Sequence, residues 1–142
     1  MSRSLGPNLY ASSIDLARLA SQRTVDLTTF GRQTGLPRRV EIWWFRFEDR
    51  FIITGTPGRR DWLANIRADP AVIVHTRLGD LSGTAHEVLD LAYRRRFFES
   101  SETRWYSTQS VLELLVAEAP MVEIALDPPN PQDLLATRDP NG

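Results

Sequence analysis

Two short turns hold the residues best suited to gripping an anion. In Gly31-Arg32-Gln33-Thr34-Gly35-Leu36-Pro37-Arg38-Arg39, three arginines flank two glycines. Glycine lets backbone N–H groups converge on one point, and arginine offers paired donors to a phosphate or carboxylate. In Thr54-Gly55-Thr56-Pro57-Gly58-Arg59-Arg60 a strand gives way to a helix, so unpaired N–H groups and the positive end of a helix dipole coincide with two more arginines. Each turn also has a bland explanation, the first as a solvated hairpin tip and the second as a helix start capped by Thr56. Two such turns in one small chain favour an anionic ligand over either explanation alone.

Flat surfaces accompany the arginines. Trp43, Trp44 and Trp62 could each pack against a planar ring, although tryptophan more often fills a core. Trp62 is the best placed, because it follows the second turn by about one helical turn. Trp105-Tyr106 could overhang a pocket, with the Tyr106 hydroxyl as a donor. Other chemistries are excluded by composition. All 17 basic residues are arginine, so a lysine Schiff base and a Walker lysine are absent. With no cysteine there is no disulfide, thiolate nucleophile or cysteine metal site. The two histidines, His75 and His86, fall on neighbouring strands close enough in sequence to approach one another, but they lack a third ligand, and we assign no metal. No Ser/His/Asp geometry follows from the sequence, and Arg94-Arg95-Arg96 reads as a solvated helical segment.

The 142 residues, 42% of them apolar, correspond to one domain with one core, ordered over about residues 8–126. No apolar run reaches the roughly 18 residues of a membrane span, and we expect a cytoplasmic protein. Charge is unevenly spread. Residues 1–79 carry 12 arginines against 7 carboxylates, net +5, while residues 80–142 carry 5 against 11, net −6. Anion binding belongs in the first half, and a patch of this size suits a small ligand better than nucleic acid.

The elements that must position these residues are legible in outline. Met1 to Pro7 reads as frayed, and apolar spacing predicts a helix over about 12–21. Strands are expected at 25–30, 38–47 and 50–55, the second buried on much of both faces. A helix at 59–68 should face Trp62, Ile66 and Leu63 inward, followed by a hairpin of strands at 71–76 and 81–88. Helical spacing returns at 90–102 and 107–118, a last strand spans 121–126, and 127–142 is a polar, proline-containing tail. This order predicts a mainly β (α+β) fold: a split barrel of about six antiparallel strands with one inserted helix and peripheral helices.

Taken together, Leu27-Thr28-Thr29-Phe30-Gly31-Arg32-Gln33-Thr34-Gly35-Leu36-Pro37-Arg38, the aromatic strand, Thr56-Pro57-Gly58 and Trp62-Leu63-Ala64-Asn65-Ile66-Arg67-Ala68-Asp69-Pro70 resemble the deazaflavin-dependent nitroreductase family. The resemblance covers about residues 25–88. It implies a barrel of the flavin and deazaflavin oxidoreductase superfamily, related to the FMN-binding pyridoxamine-phosphate-oxidase-like barrels. It further implies binding of coenzyme F420, an 8-hydroxy-5-deazaflavin, and hydride transfer to a small quinone, nitro or enone acceptor. By that likeness Arg32, Thr34 and Arg38 would meet the phosphate or oligoglutamate tail. Trp43, Gly55, Thr56 and Gly58 would line the ring and phosphate, Trp62 and Asn65 would close the site, and Tyr106 would face the substrate. Where relatives carry Ser-Lys-Gly-Gly, this chain has Thr56-Pro57-Gly58-Arg59 and reaches Trp62 sooner, leaving Arg59 or Arg60 to replace the missing lysine. The alternatives are FMN in place of the deazaflavin, or a non-catalytic flavin, haem or tetrapyrrole carrier. Related barrels frequently pair, and the tryptophan-rich strand would suit a homodimer.

Overall fold

A computed structural model describes residues 13–127. The first residues and the proline-containing tail therefore lie outside the described part. Helix α1 (Ser13–Ser21) leads into β1 (Thr24–Phe30) and β2 (Pro37–Phe47), then β3 (Arg50–Thr54), α2 (Asp61–Ala68), β4 (Ala71–Thr76) and β5 (Gly79–Glu87). Three further α-helices, α3 (Leu91–Glu99), α4 (Arg104–Ser107) and α5 (Leu112–Glu118), precede β6 (Met121–Leu126). A 3₁₀ turn, Ser101–Thr103, joins α3 to α4.

The six strands close a barrel in the order β1-β2-β3-β6-β5-β4, with every neighbouring pair antiparallel. Strand β2 is long enough to serve two partners. Its first part pairs with β1 from Phe30↔Pro37 to Thr24↔Trp43, and its last four residues pair with β3. The β2–β3 turn at Glu48-Asp49 has φ of 50° and 63°, the left-handed pair that a two-residue hairpin needs, here without glycine.

Period-2 alternation divides the apolar residues between two cores. Val25, Leu27, Ile42, Trp44, Phe51, Ile53, Val72 and Val74 fill the barrel, which Trp62, Leu63 and Ile66 of α2 help to close. Ile52 points the other way, into a cluster with Tyr93, Phe97, Phe98, Tyr106, Leu115 and Met121 beneath the C-terminal helices.

Four expectations need correction. The strand buried on both faces is β3, whose Phe51 to Thr54 are all buried; β2 is exposed from Pro37 to Glu41 and again at Trp43. The helix expected over 107–118 is broken, because Thr108 and Ser110 bond back to the preceding turn and the Thr108 hydroxyl donates to the Trp105 carbonyl. Arg94 is buried, unlike the ion-paired Arg95 and Arg96 on the surface. Its guanidinium donates to the carbonyls of Val88, Leu115, Val116 and Ala119, the last three at the open end of α5. Burial lowers its pKa from the ordinary arginine value. Finally, His75 lies opposite Asp80 and His86 opposite Glu123, so the two histidines do not meet.

Candidate active site

The β1–β2 connection is built on short internal bonds. Gly31 N–H donates to the Leu36 carbonyl at 2.8 Å and Gly35 N–H to the Gly31 carbonyl at 2.7 Å, while the Thr34 hydroxyl accepts from Leu36 N–H. Gly35 has φ +73°, and a Cβ at Gly31 would stand 2.9 Å from Thr34 Oγ1, so both positions need glycine. The glycine amides are thus used by the loop itself and do not form the anion cradle that the sequence suggests.

The side chains beside the loop provide the charge instead. Arg32, Gln33, Thr34, Arg38 and Arg39 line one wall of a cleft of about 560 Å³, and Asp61, Trp62 and Asn65 of α2 line the other. Asn65 is 3% exposed and locks the walls together. Its Oδ1 accepts from both Arg32 N–H (3.1 Å) and Arg32 Nη1 (2.9 Å), and its Nδ2 donates to Thr29 Oγ1 (3.1 Å). Arg32 Nη2 also reaches Asp61 at 3.4 Å, and Arg39 Nε donates to Asp26 at 2.8 Å. Arg38 has no side-chain partner among the described residues. It is the guanidinium the cleft leaves free for a ligand.

The second turn is arranged differently. Arg60 Nη2 donates to the Thr56 carbonyl at 2.8 Å and to Thr56 Oγ1 at 3.1 Å, while Nη1 donates to the Arg59 carbonyl. The same guanidinium packs over Gly55 and Gly58. Thr56 therefore does not cap α2, and the turn is filled by a cation of its own chain. Arg60 also influences Tyr106, which is 3% exposed and has no hydrogen bond from its hydroxyl among the described residues. Burial pushes the Tyr106 hydroxyl up to about 12, opposed by the nearby positive charge of Arg60.

Five of the twelve candidate residues, Arg32, Thr34, Arg38, Trp62 and Asn65, meet in the cleft. Gly55, Thr56, Gly58, Arg59 and Arg60 lie around the second turn, and Gly58, Arg59 and Arg60 line an adjoining groove that shares Arg32 and Asp61 with the cleft. Trp43 is on the outer barrel face, stacked on Trp105 at 5.7 Å and away from the cleft. Sequence reasoning missed Asp61 and Thr29 as cleft residues, since neither belongs to a glycine-arginine run. It also missed an outer-wall relay in which Thr28 Oγ1 lies 2.7 Å from His75 Nε2 and His75 Nδ1 lies 2.8 Å from Asp80. Thr28 is 6% exposed, so its hydroxyl ties strands together and is withheld from any ligand.

The sequence profile of the F420H(2)-dependent quinone reductases matches residues 16–113, which include the whole cleft. The chain belongs to that family. It is a deazaflavin-dependent reductase whose cofactor is coenzyme F420. The fold has the same company. An F420-H2 dependent reductase, FDR-A, superimposes with TM-score 0.54 at 20% identity, covering 72% of this chain and 94% of that one. General stress protein 26 from Bacillus anthracis str. Sterne gives 0.60 at 17%, covering 84% and 91%. HutZ, a heme storage protein from Vibrio cholerae, gives 0.55 at 12%, covering 82% and 89%. At these identities the structures share the reductase's fold alone. No curated protein matches the reductase significantly. No helix among the described residues is long and apolar enough to cross a membrane.

Proposed function

We propose that the cleft between the β1–β2 loop and α2 holds the deazaflavin coenzyme. The observation that carries this reading is the Arg38 guanidinium, unpaired among the described residues, set in a cavity of cofactor size that Trp62 also lines. The donor set fits the group. Arg38 and Arg32 receive its anionic portion, the Thr34 hydroxyl adds a neutral donor, and Trp62 offers a flat apolar wall. Asn65 acts through Arg32, whose amide and guanidinium it holds in one orientation.

Reduced F420, when bound, supplies the hydride that a quinone, nitro or enone acceptor takes up. The protein contributes orientation, desolvation and fixed charge. Arg60, held by Thr56 and Arg59, stands in for the lysine that relatives place in this turn, with Gly55 and Gly58 making room for it. Arg59 adds an exposed positive charge at the groove. The Tyr106 hydroxyl, which the family resemblance would turn toward the substrate, is buried in the cluster beneath the C-terminal helices and lines neither the cleft nor the groove, so we assign it no contact with the acceptor. Trp43 and Trp105, 44% and 49% exposed, are the surface we assign to homodimer contact rather than to the coenzyme.

Titration of the protein with F420 and, separately, with FMN tests the assignment through tryptophan fluorescence. Saturable quenching by F420 that is weakened in Trp62→Phe, followed by turnover with a quinone, is the expected result. Quenching by FMN alone would move the cleft to a flavin, and quenching by neither would remove the cleft as the coenzyme site.

A further inference from the structure

The cleft contains three guanidinium groups, yet two of them already face carboxylates of the same chain. Arg39 is bonded to Asp26 on the outer barrel face at 2.8 Å, and Arg32 faces Asp61 at 3.4 Å. The two pairs differ in kind. Asp26 sits on β1 within the sheet, whereas the Asp61 side chain is 92% exposed at the first position of α2. At that position the carboxylate lies in the positive field of the helix N-terminus and within reach of a cation. An incoming phosphate or carboxylate would seek the same surroundings. Asp61 also borders both the cleft and the adjoining groove that contains Arg59 and Arg60, so it stands between the two arginine clusters.

We infer that Asp61 is a specificity-determining residue: a built-in anion that occupies Arg32 until a ligand displaces it, setting how strongly the cleft favours multiply charged ligands. The inference rests on the cleft being the coenzyme site, and it adds a residue that works against binding. An exposed pair at 3.4 Å is weak and screened by salt, so a ligand anion can displace it. Once displaced, the carboxylate remains near the new anion and repels it. Arg38, which has no such competitor among the described residues, makes the first contact, and Arg32 is recruited only by a ligand whose charge outweighs Asp61. A ligand with a ring and no phosphate is indifferent to the exchange.

The test compares wild type, Asp61→Asn and Asp61→Ser, with Glu99→Gln on the exposed face of α3 as a control for overall charge. Each is titrated by tryptophan fluorescence with F420 and with the phosphate-free 8-hydroxy-5-deazaflavin riboside-type fragment, and by calorimetry with inorganic phosphate. Both Asp61 variants should bind F420 about 3- to 10-fold more tightly, the scale of one exposed ion pair and its repulsion. They should bind inorganic phosphate more tightly too, with a steeper loss of affinity as salt rises, while the fragment and Glu99→Gln show no change. Unchanged F420 and phosphate affinity in both Asp61 variants overturns the inference, as does an equal gain in Glu99→Gln. If wild type binds neither deazaflavin, the coenzyme reading fails by itself; phosphate affinity then decides the role of Asp61, a gain in both variants supporting it and no gain overturning it.

Discussion

The two glycine-arginine turns look alike in sequence and do opposite things in space. The β1–β2 loop closes on its own backbone and leaves Arg38 without a side-chain partner among the described residues. The turn before α2 instead wraps its carbonyl oxygens around Arg60, so its cation is part of the scaffold. The difference lies in which groups the backbone turns inward. Where N–H groups are consumed by the loop, a side chain remains to meet ligand; where carbonyls point inward, the arginine is consumed. A motif of glycine and arginine thus supplies components, and the local hydrogen bonding decides whether the charge is structural or available.

Substitutions that separate binding from stability test this contrast directly. The largest effect should come from Arg38→Glu, which removes a free cation and adds a repulsive charge: roughly a 100- to 1000-fold loss of F420 affinity, about 3–4 kcal/mol, with an unchanged melting temperature. Arg60→Ala should do the reverse first. Three acceptors lose their donor, costing about 2 kcal/mol, visible as a lower urea midpoint before any ligand is added. If Arg60→Ala leaves the midpoint alone while Arg38→Glu lowers it, the contrast is inverted.

The Tyr106 hydroxyl beside the occupied turn provides a smaller effect with a definite sign. Tyr93 and Tyr106 are both held up to about 12 by burial, above the ordinary value of 10. The folded state therefore keeps protons that the unfolded chain gives up, so their stabilisation is full below pH 10 and is lost as pH rises toward 12. By pH 11 each tyrosine should cost about 1.4 kcal/mol relative to pH 9, and Tyr106→Phe should show about half the wild-type decline in urea titrations. Smallest of all is Thr34→Ala. It removes one exposed bond to Leu36 N–H and should shift the midpoint by only about a few tenths of a kcal/mol, with a several-fold weaker F420 affinity measuring the hydroxyl's part in the cleft.

Much of the barrel was readable because its signals are local. The short β-branched and aromatic runs of β3 and β6, the Gly-bearing β1–β2 connection and the helix between β3 and β4 follow from composition, periods and turn residues within a few positions of one another. Arg32, Thr34, Arg38, Trp62 and Asn65, which share one cleft, all fall within the two short motifs that carry the family resemblance. The role of Arg94 was not readable. A triple-arginine run reads as surface, and nothing local announces that the end of α5 arrives with three carbonyls to satisfy, beside that of Val88.

The sequence by itself determined which groups were on offer: arginine as the sole cation, no thiol, and tryptophans and glycines at spacings that build strands and tight turns. The tertiary structure decided which of them remain available. Trp43 and Trp44 are adjacent in the chain, yet the pleat turns one outward onto Trp105 and buries the other in the barrel. Asp61 becomes Arg32's partner only when α2 packs beside the β1–β2 loop, across 29 residues of chain. Hydrogen-bond acceptors and opposing charges are assigned by folding, and a charge's availability is a property of its neighbours in space.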